Sequence, residues 1–170
     1  MDIEVDDGGA DELFAGYLAL YEAAWTTFDD AVPALRRARA AGFVVGVLTN
    51  GDEEQQRVKL KRLSLEDEID HLVASSMVPA AKPDPRAFQH AVHRMGVTAA
   101  EALMVGDSLE NDVLGALSAG LHATLLDRDD THRDANLPRV RTLADLQFRA
   151  VTNRGRKPLS TLSCEVHLFE

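Results

Sequence analysis

The sequence contains a single cysteine, Cys164, and no long apolar run. One cysteine cannot form an intrachain disulfide or a zinc cluster, which is typical of proteins from a reducing compartment. The apolar runs stay well short of the ~20 residues that a helix needs to cross a bilayer. The chain starts with MDIEVDDGGADE, which is acidic where a secretory signal is basic and then apolar. Together, these features predict a cytoplasmic protein.

Basic residues are also scarce. The chain has 18 lysines and arginines against 28 aspartates and glutamates, which gives a formal net charge of −10. Nucleic acids and anionic membranes select basic protein surfaces, so this balance disfavours both as partners but does not disfavour a divalent cation. The hydrophobic fraction of 45% and the charged fraction of 27% are close to those of soluble globular proteins. A chain of this length is predicted to form one domain with a substantial core.

Four short apolar runs alternate with helical patterns in the middle of the chain. The runs span residues 43–48, 71–75, 102–105 and 122–126, and the helical patterns span residues 53–63, 85–95 and 111–119. Such runs are typical of parallel strands that are covered on both faces. The alternation therefore predicts an α/β fold with a doubly wound parallel sheet.

Further elements are predicted on either side of this alternation. Residues 11–25 carry a helical apolar stripe that includes Leu20 and Trp25, and a second helix is predicted to end at Gly42. Near its end the chain becomes basic and irregular. Residues 160–169 then alternate loosely between apolar and polar side chains, as a strand would.

Polar segments follow the predicted strands, at the sheet edge where α/β proteins bind ligands. Thr49-Asn50-Gly51 would aim a hydroxyl and backbone N–H groups at an anion, or alternatively would cap the next helix. Lys82 precedes a proline and is therefore expected in an extended conformation. From there it would offset the charge of a phosphate, or alternatively would be a solvated loop lysine.

Asp107 and Asp112 follow the third apolar run. Carboxylates at this spacing suit Mg²⁺, which prefers oxygen ligands and keeps several waters, unless Asp107 or Ser108 only caps a helix. Combined with an anion-binding turn and a lysine, they favour phosphoryl transfer through Mg²⁺. A rival hypothesis is a GDSL serine esterase that uses Ser108 with Asp129 and His132. It is disfavoured because only one helix and one strand separate these blocks and no oxyanion-donor block is present.

Three motifs resemble those of a known family: LTNG at residues 48–51, KPDP at residues 82–85 and VGDSLEND at residues 105–112. They are similar to motifs two, three and four of the haloacid dehalogenase-like (HAD) hydrolases, and in particular to phosphatase-like members with a helical cap. The resemblance implies a Rossmann-like HAD core at residues 29–146, preceded by the remnant of a helical cap at residues 1–28. The tail at residues 147–170 has no counterpart in the family.

The resemblance also implies a chemistry, the Mg²⁺-dependent hydrolysis of a small phosphorylated metabolite through an aspartyl-phosphate. Family roles are carried over only to the matching positions. By resemblance, Thr49, Asn50 and Gly51 would bind the phosphate. Lys82 would stabilise the charge of the phosphate and the nucleophile. Asp107 would bind Mg²⁺, with Asp112 as a further ligand or as a neighbour of the ligands.

The first motif of the family, an apolar strand followed by DxDGT, has no match upstream of the cap-like helix. The nearest stretch has Asp6 and Asp7 side by side, without an apolar strand before them. Because this motif supplies the nucleophile, the chain is predicted to be inactive, or to act as a non-catalytic scaffold that binds a ligand. Its strand also belongs at the centre of the sheet. The gap would be filled by N-terminal residues or by residues 160–169, unless the sheet repacks.

Overall fold

The computed structural model of the chain describes Gly16, Leu20, residues 22–148 and the backbone of residues 160–163. Its strands are β1 (Val45–Thr49), β2 (His71–Ala74), β3 (Ala102–Gly106), β4 (His122–Leu126), β5 (Arg139–Val140) and β6 (Ser160–Ser163). Its α-helices are α1 (Ala31–Ala40), α2 (Glu53–Arg62), α3 (Pro85–Arg94) and α4 (Gly115–Ser118). A π-helical segment, Leu109–Leu114, leads directly into α4. Short 3₁₀ turns lie at Glu66–Glu68, Ser75–Met77, Ala99–Glu101 and Leu143–Asp145.

The six strands form one parallel sheet in the order β2-β1-β6-β3-β4-β5. This arrangement confirms the predicted α/β fold with a doubly wound parallel sheet. Each predicted apolar run overlaps a strand, and the run at residues 122–126 coincides with β4. The two-residue strand β5 was not predicted, because an element of this length carries no readable periodicity.

Helices cover both faces of the sheet, and successive strand residues alternate between two cores. On one face, α3 and α4 pack against the sheet, with Phe88 fully buried beside Leu48 and Met104. On the other face, α1 and α2 cover Val47 and Val105. Burial on both faces explains why the strands read as nearly continuous apolar runs.

The central position of the sheet is occupied by the C-terminal strand β6. Its backbone pairs with β1 at Thr161 and Leu162, and with β3 at all four residues from Ser160 to Ser163. The sequence predicts a gap at the centre of the sheet, to be filled by N-terminal residues or by residues 160–169 unless the sheet repacks. In the structure, the segment that starts at residue 160 fills it. The rest of that predicted strand, residues 164–169, lies outside the described residues.

Only part of the predicted N-terminal helix lies within the described residues. Gly16, Leu20 and residues 22–23 are helical. Leu20, which was expected to widen the apolar stripe, is instead 75% exposed. Trp25 is buried, and the Lys59 ammonium lies 5.6 Å from the centroid of its ring. The proposed division into cap remnant, core and tail stays a prediction.

Asp30, just before α1, ties the start of this helix to the loops after β4 and β5. Its carboxylate accepts two hydrogen bonds of 2.9 Å from Arg128, one of 2.7 Å from the Thr142 hydroxyl and one of 2.9 Å from the Leu143 amide. The Arg128 guanidinium also lies 3.9 Å from the centroid of the Phe28 ring. Burial raises the pKa of Asp30, but the hydrogen bonds outweigh it and lower the pKa to about 2.

We expect this carboxylate to stabilise the fold in a pH-dependent way. Because the folded pKa lies below the unfolded value of 3.8, the stabilisation is present above about pH 4 and is lost as the pH falls towards 2. In urea unfolding at neutral pH, the free energy of unfolding of Asp30→Asn should be about 1–3 kcal/mol lower than that of the wild type. The difference between wild type and variant should narrow from pH 5 to pH 3. A difference that stays constant over this range would contradict the assignment.

A second prediction concerns Gly115, the first residue of α4. A Cβ atom added there would lie 2.8 Å from Cε2 of Phe88 and 3.0 Å from Cα of Pro83. Alanine favours helices over glycine by about 1 kcal/mol, but the clash with a fully buried ring should dominate. Gly115→Ala should therefore lower the free energy of unfolding by about 1–3 kcal/mol.

Leu117→Ala provides a matched control on the same helix, because Leu117 is 45% exposed. This substitution should change the free energy of unfolding by no more than about 0.5 kcal/mol. Equal effects of the two substitutions would show that α4 does not pack as described.

Candidate active site

Thr49 is the last residue of β1 and is completely buried. Among the described residues, its hydroxyl oxygen has no hydrogen-bond partner. A buried hydroxyl without a partner costs free energy, so such groups are rare outside ligand sites and strained regions. The structure thus places an unsatisfied polar atom at the carboxyl end of β1, where the sequence predicts an anion site.

Asn50 joins the loop after β1 to the loop that contains Lys82. Its Nδ2 donates to the Lys82 carbonyl at 2.8 Å, and the Lys82 amide donates to its Oδ1 at 2.8 Å. Helix α2 is capped instead by Asp52, whose Oδ1 accepts the Gln55 amide at 3.1 Å. The alternative that Thr49 or Asn50 caps this helix is therefore wrong.

Lys82 is buried, with 4% of its side chain exposed. Its Nζ donates to Oδ1 of Asp112 at 2.8 Å, and Asp112 is equally buried. The alternative of a solvated loop lysine is therefore wrong as well. A buried ion pair of this kind requires both partners, because removing one leaves an uncompensated charge at a cost of about 3–5 kcal/mol.

The second carboxylate oxygen of Asp112 binds the loop after β3. It accepts the Ser108 amide at 3.0 Å. A Cβ atom added at Gly106 would collide with this carboxylate, which explains the glycine at that position. The Ser108 hydroxyl accepts the Asn111 amide at 3.1 Å, so Ser108 is the helix cap that one alternative predicted.

Asp107 is half-buried and borders a cavity of ≈320 Å³. The other residues that line this cavity are Phe28, Leu126, Asp127, Arg128, Asp129, Thr131 and His132. Within residues 22–148, no group of three or more His, Cys, Asp or Glu side chains is arranged to hold a metal ion. Mg²⁺ does not require such a group, since it binds through one or two carboxylates and keeps several waters.

Asp127 directly follows β4, in one of the polar segments that follow the predicted strands, but the sequence assigns it no role. It is 4% exposed, and it accepts hydrogen bonds of 2.8 Å from the amides of Thr131 and His132 and from Arg139. Burial raises the pKa of Asp127, but these hydrogen bonds hold it well below its usual range. The sequence does contain a signal for Asp127. Like Asp107, it is an aspartate that follows an apolar run, at the sheet edge where ligands bind.

Side-chain contacts hold the loop at residues 127–132. Asp130 is paired with Arg139 and lies 2.8 Å from Arg133. The Nδ1 of His132 lies 2.9 Å from the Thr131 hydroxyl and 3.6 Å from a carboxylate oxygen of Asp127. The acidic neighbour of His132 is thus Asp127, and not the Asp129 that the serine-esterase hypothesis required.

Comparison with known proteins extends these observations. The family model of the haloacid dehalogenase-like hydrolases matches residues 3–120. A phosphatase of Mycobacterium tuberculosis is 38% identical over 135 residues, which cover 78% of this chain and 60% of that protein. A glyceraldehyde 3-phosphate phosphatase of Methanopyrus kandleri is 33% identical over 129 residues, or 70% of this chain and 55% of that protein.

The fold agrees with solved structures of the same family. A HAD phosphatase from Thermococcus onnurineus matches with a TM-score of 0.65 and 39% identity, over 69% of this chain and 54% of that one. The chain therefore spans between half and two thirds of the length of these three relatives. In the described part of the chain, no helix is long and apolar enough to cross a membrane. The chain belongs to the haloacid dehalogenase-like hydrolases, with the Rossmann-like core and the phosphatase-like relatives that this family includes.

Proposed function

We propose that this site binds the phosphate group of a small phosphorylated metabolite together with Mg²⁺. The observation that carries the proposal is the buried Thr49 hydroxyl, which has no partner among the described residues. A phosphate oxygen would accept its hydrogen bond, and backbone N–H groups of Asn50 and Gly51 would add donors. Lys82 would contribute its positive charge to the phosphate.

Charge balance supports a divalent cation in this site. Asp107 and Asp112 are both carboxylates, and a phosphate dianion would bring further negative charge close to them. A cation that accompanies the phosphate would reduce this repulsion. When bound, Mg²⁺ would offset this charge on the phosphate oxygens.

We assign different roles to the two aspartates of the site. Both carboxylate oxygens of Asp112 accept hydrogen bonds, from Lys82 and from the Ser108 amide. Asp112 would therefore hold Lys82 and the loop in place, while Asp107, which borders the cavity, would be the direct ligand of Mg²⁺. The cavity beside Asp107 is of the size that accommodates a small metabolite.

Hydrolysis of phosphate monoesters through an aspartyl-phosphate requires an aspartate nucleophile. In this chain, the motif that would supply it has no match upstream of the cap-like helix, and Asp6 and Asp7 lie outside the described residues. The chain would therefore bind phosphate without turning over a phosphate ester. This function combines the hydrolase site of the family with the role of a ligand-binding scaffold.

Calorimetric titration with inorganic phosphate in the presence of Mg²⁺ tests the binding site. Thr49→Val keeps the side-chain volume and removes the hydroxyl, so it should weaken phosphate binding by about 10-fold or more. It should not destabilise the protein, because within the described part of the chain the hydroxyl has no partner to lose. Asp107→Asn should remove most of the dependence of phosphate binding on Mg²⁺.

Thr124→Val, in the middle of β4, is the matched control and should bind phosphate like the wild type. Failure of the wild type to bind phosphate at millimolar concentration would overturn the proposed site. Equal binding by wild type and Thr49→Val would overturn the assignment of the hydroxyl.

An assay with a generic aryl phosphate, with and without Mg²⁺, tests the absence of turnover. The purified chain, checked by mass for intact ends, should release phosphate no faster than Asp107→Asn. Mg²⁺-dependent turnover that is lost in Asp107→Asn would instead show that the chain supplies a nucleophile.

A further inference from the structure

The centre of the sheet offers β6 an apolar environment. The neighbouring strands carry Val45, Val47, Met104 and Val105, each no more than 4% exposed. Helices cover both faces of the sheet at these residues. A strand between them is therefore shielded from water on both faces, a position in which proteins use valine, isoleucine and leucine.

The sequence of β6 does not match this environment. Three of its four residues are Ser160, Thr161 and Ser163, and only Leu162 is apolar. Moving a hydroxyl from water into an apolar environment costs about 1–3 kcal/mol unless a hydrogen bond compensates for it. By its sequence, β6 therefore offers less apolar side-chain surface for burial than the neighbouring strands.

Backbone pairing, by contrast, is extensive. Residues of β6 form two register pairs with β1 and four with β3, all parallel. Main-chain hydrogen bonds do not depend on the side chains, so any strand of this length and direction can form them. An apolar strand would form the same pairs and would also bury apolar side chains at about 25 cal/mol per Å².

We propose that the slot between β1 and β3 is a strand-acceptor site, in which β6 is exchanged for an apolar parallel strand of another polypeptide. The four register pairs with β3 set the minimum length of the incoming strand. The cover on both faces requires apolar residues throughout, without alternation. The β6 segment of a second copy of this chain is a poor candidate, because its polar sequence offers no gain over the resident strand.

Hydrogen exchange followed by NMR on the full chain tests this exchange. The probe is a water-soluble peptide with lysines followed by a strand of about five valine and isoleucine residues. With the peptide, amides of residues 160–163 should exchange at least about tenfold faster, while those of β1 and β3 stay protected. The control peptide carries a proline in the middle of the strand, which cannot complete the pairing.

A double variant, Ser160→Val with Ser163→Val, makes the resident strand more apolar. This variant should require a several-fold higher peptide concentration for the same increase in the exchange rate of the amides at residues 160–163. The proposal is overturned if residues 160–163 exchange freely without peptide, or are unaffected by millimolar peptide. It is also overturned if the proline peptide acts equally, if β1 and β3 lose protection together with β6, or if exchange depends on the concentration of the chain itself, as swapping between copies would require.

Discussion

The ion pair between Lys82 and Asp112 fixes the geometry of the candidate site. Each side chain is nearly inaccessible to water, and transfer of such a charge from water costs several kcal/mol, so neither is tolerated without the other. The pair therefore joins the loop before α3 to the segment after β3. Asn50 attaches the loop after β1 through two hydrogen bonds to the Lys82 backbone. Three loops that are distant in sequence thus behave as one unit, which is the preorganisation that binding a phosphate requires.

The central strand sets the spacing between the two halves of this site. Thr49 ends β1, and Asp107 follows β3, but these strands do not pair with each other. Their relative position along the sheet is fixed through β6, by the pairs of Gly46 with Leu162 and of Val105 with Ser163. The ion pair links the loops at the carboxyl edge of the sheet, and β6 links the strands β1 and β3 within the sheet. The site consequently depends on β6, although this strand carries none of the candidate site residues.

Local patterns in the sequence were sufficient for strands β1 to β4 and for most of the helices. Apolar runs identified β1 to β4 because strands that are covered on both faces are mostly apolar. The predicted helix at residues 111–119 begins earlier, at Leu109, because a π-helical segment precedes α4. Side-chain periodicity does not distinguish a π-helical turn from an α-helical turn. The partners of Asn50, Lys82 and Asp112 were not predictable, since each contact spans 30 or more residues and depends on how the loops meet.

Asp107 and Asp127 show why position after a strand does not define the role of a carboxylate. They follow the neighbouring strands β3 and β4, and the same cavity touches both. Asp127 receives backbone amides and Arg139, which satisfy its oxygens and neutralise its charge, so it is suited to holding a loop. For Asp112, the buried Lys82 donates a hydrogen bond to the carboxylate and neutralises its charge. Asp127 and Asp112 thus hold loops in place through the set of donors around each carboxylate. That set is decided by loop packing, which the local sequence does not encode.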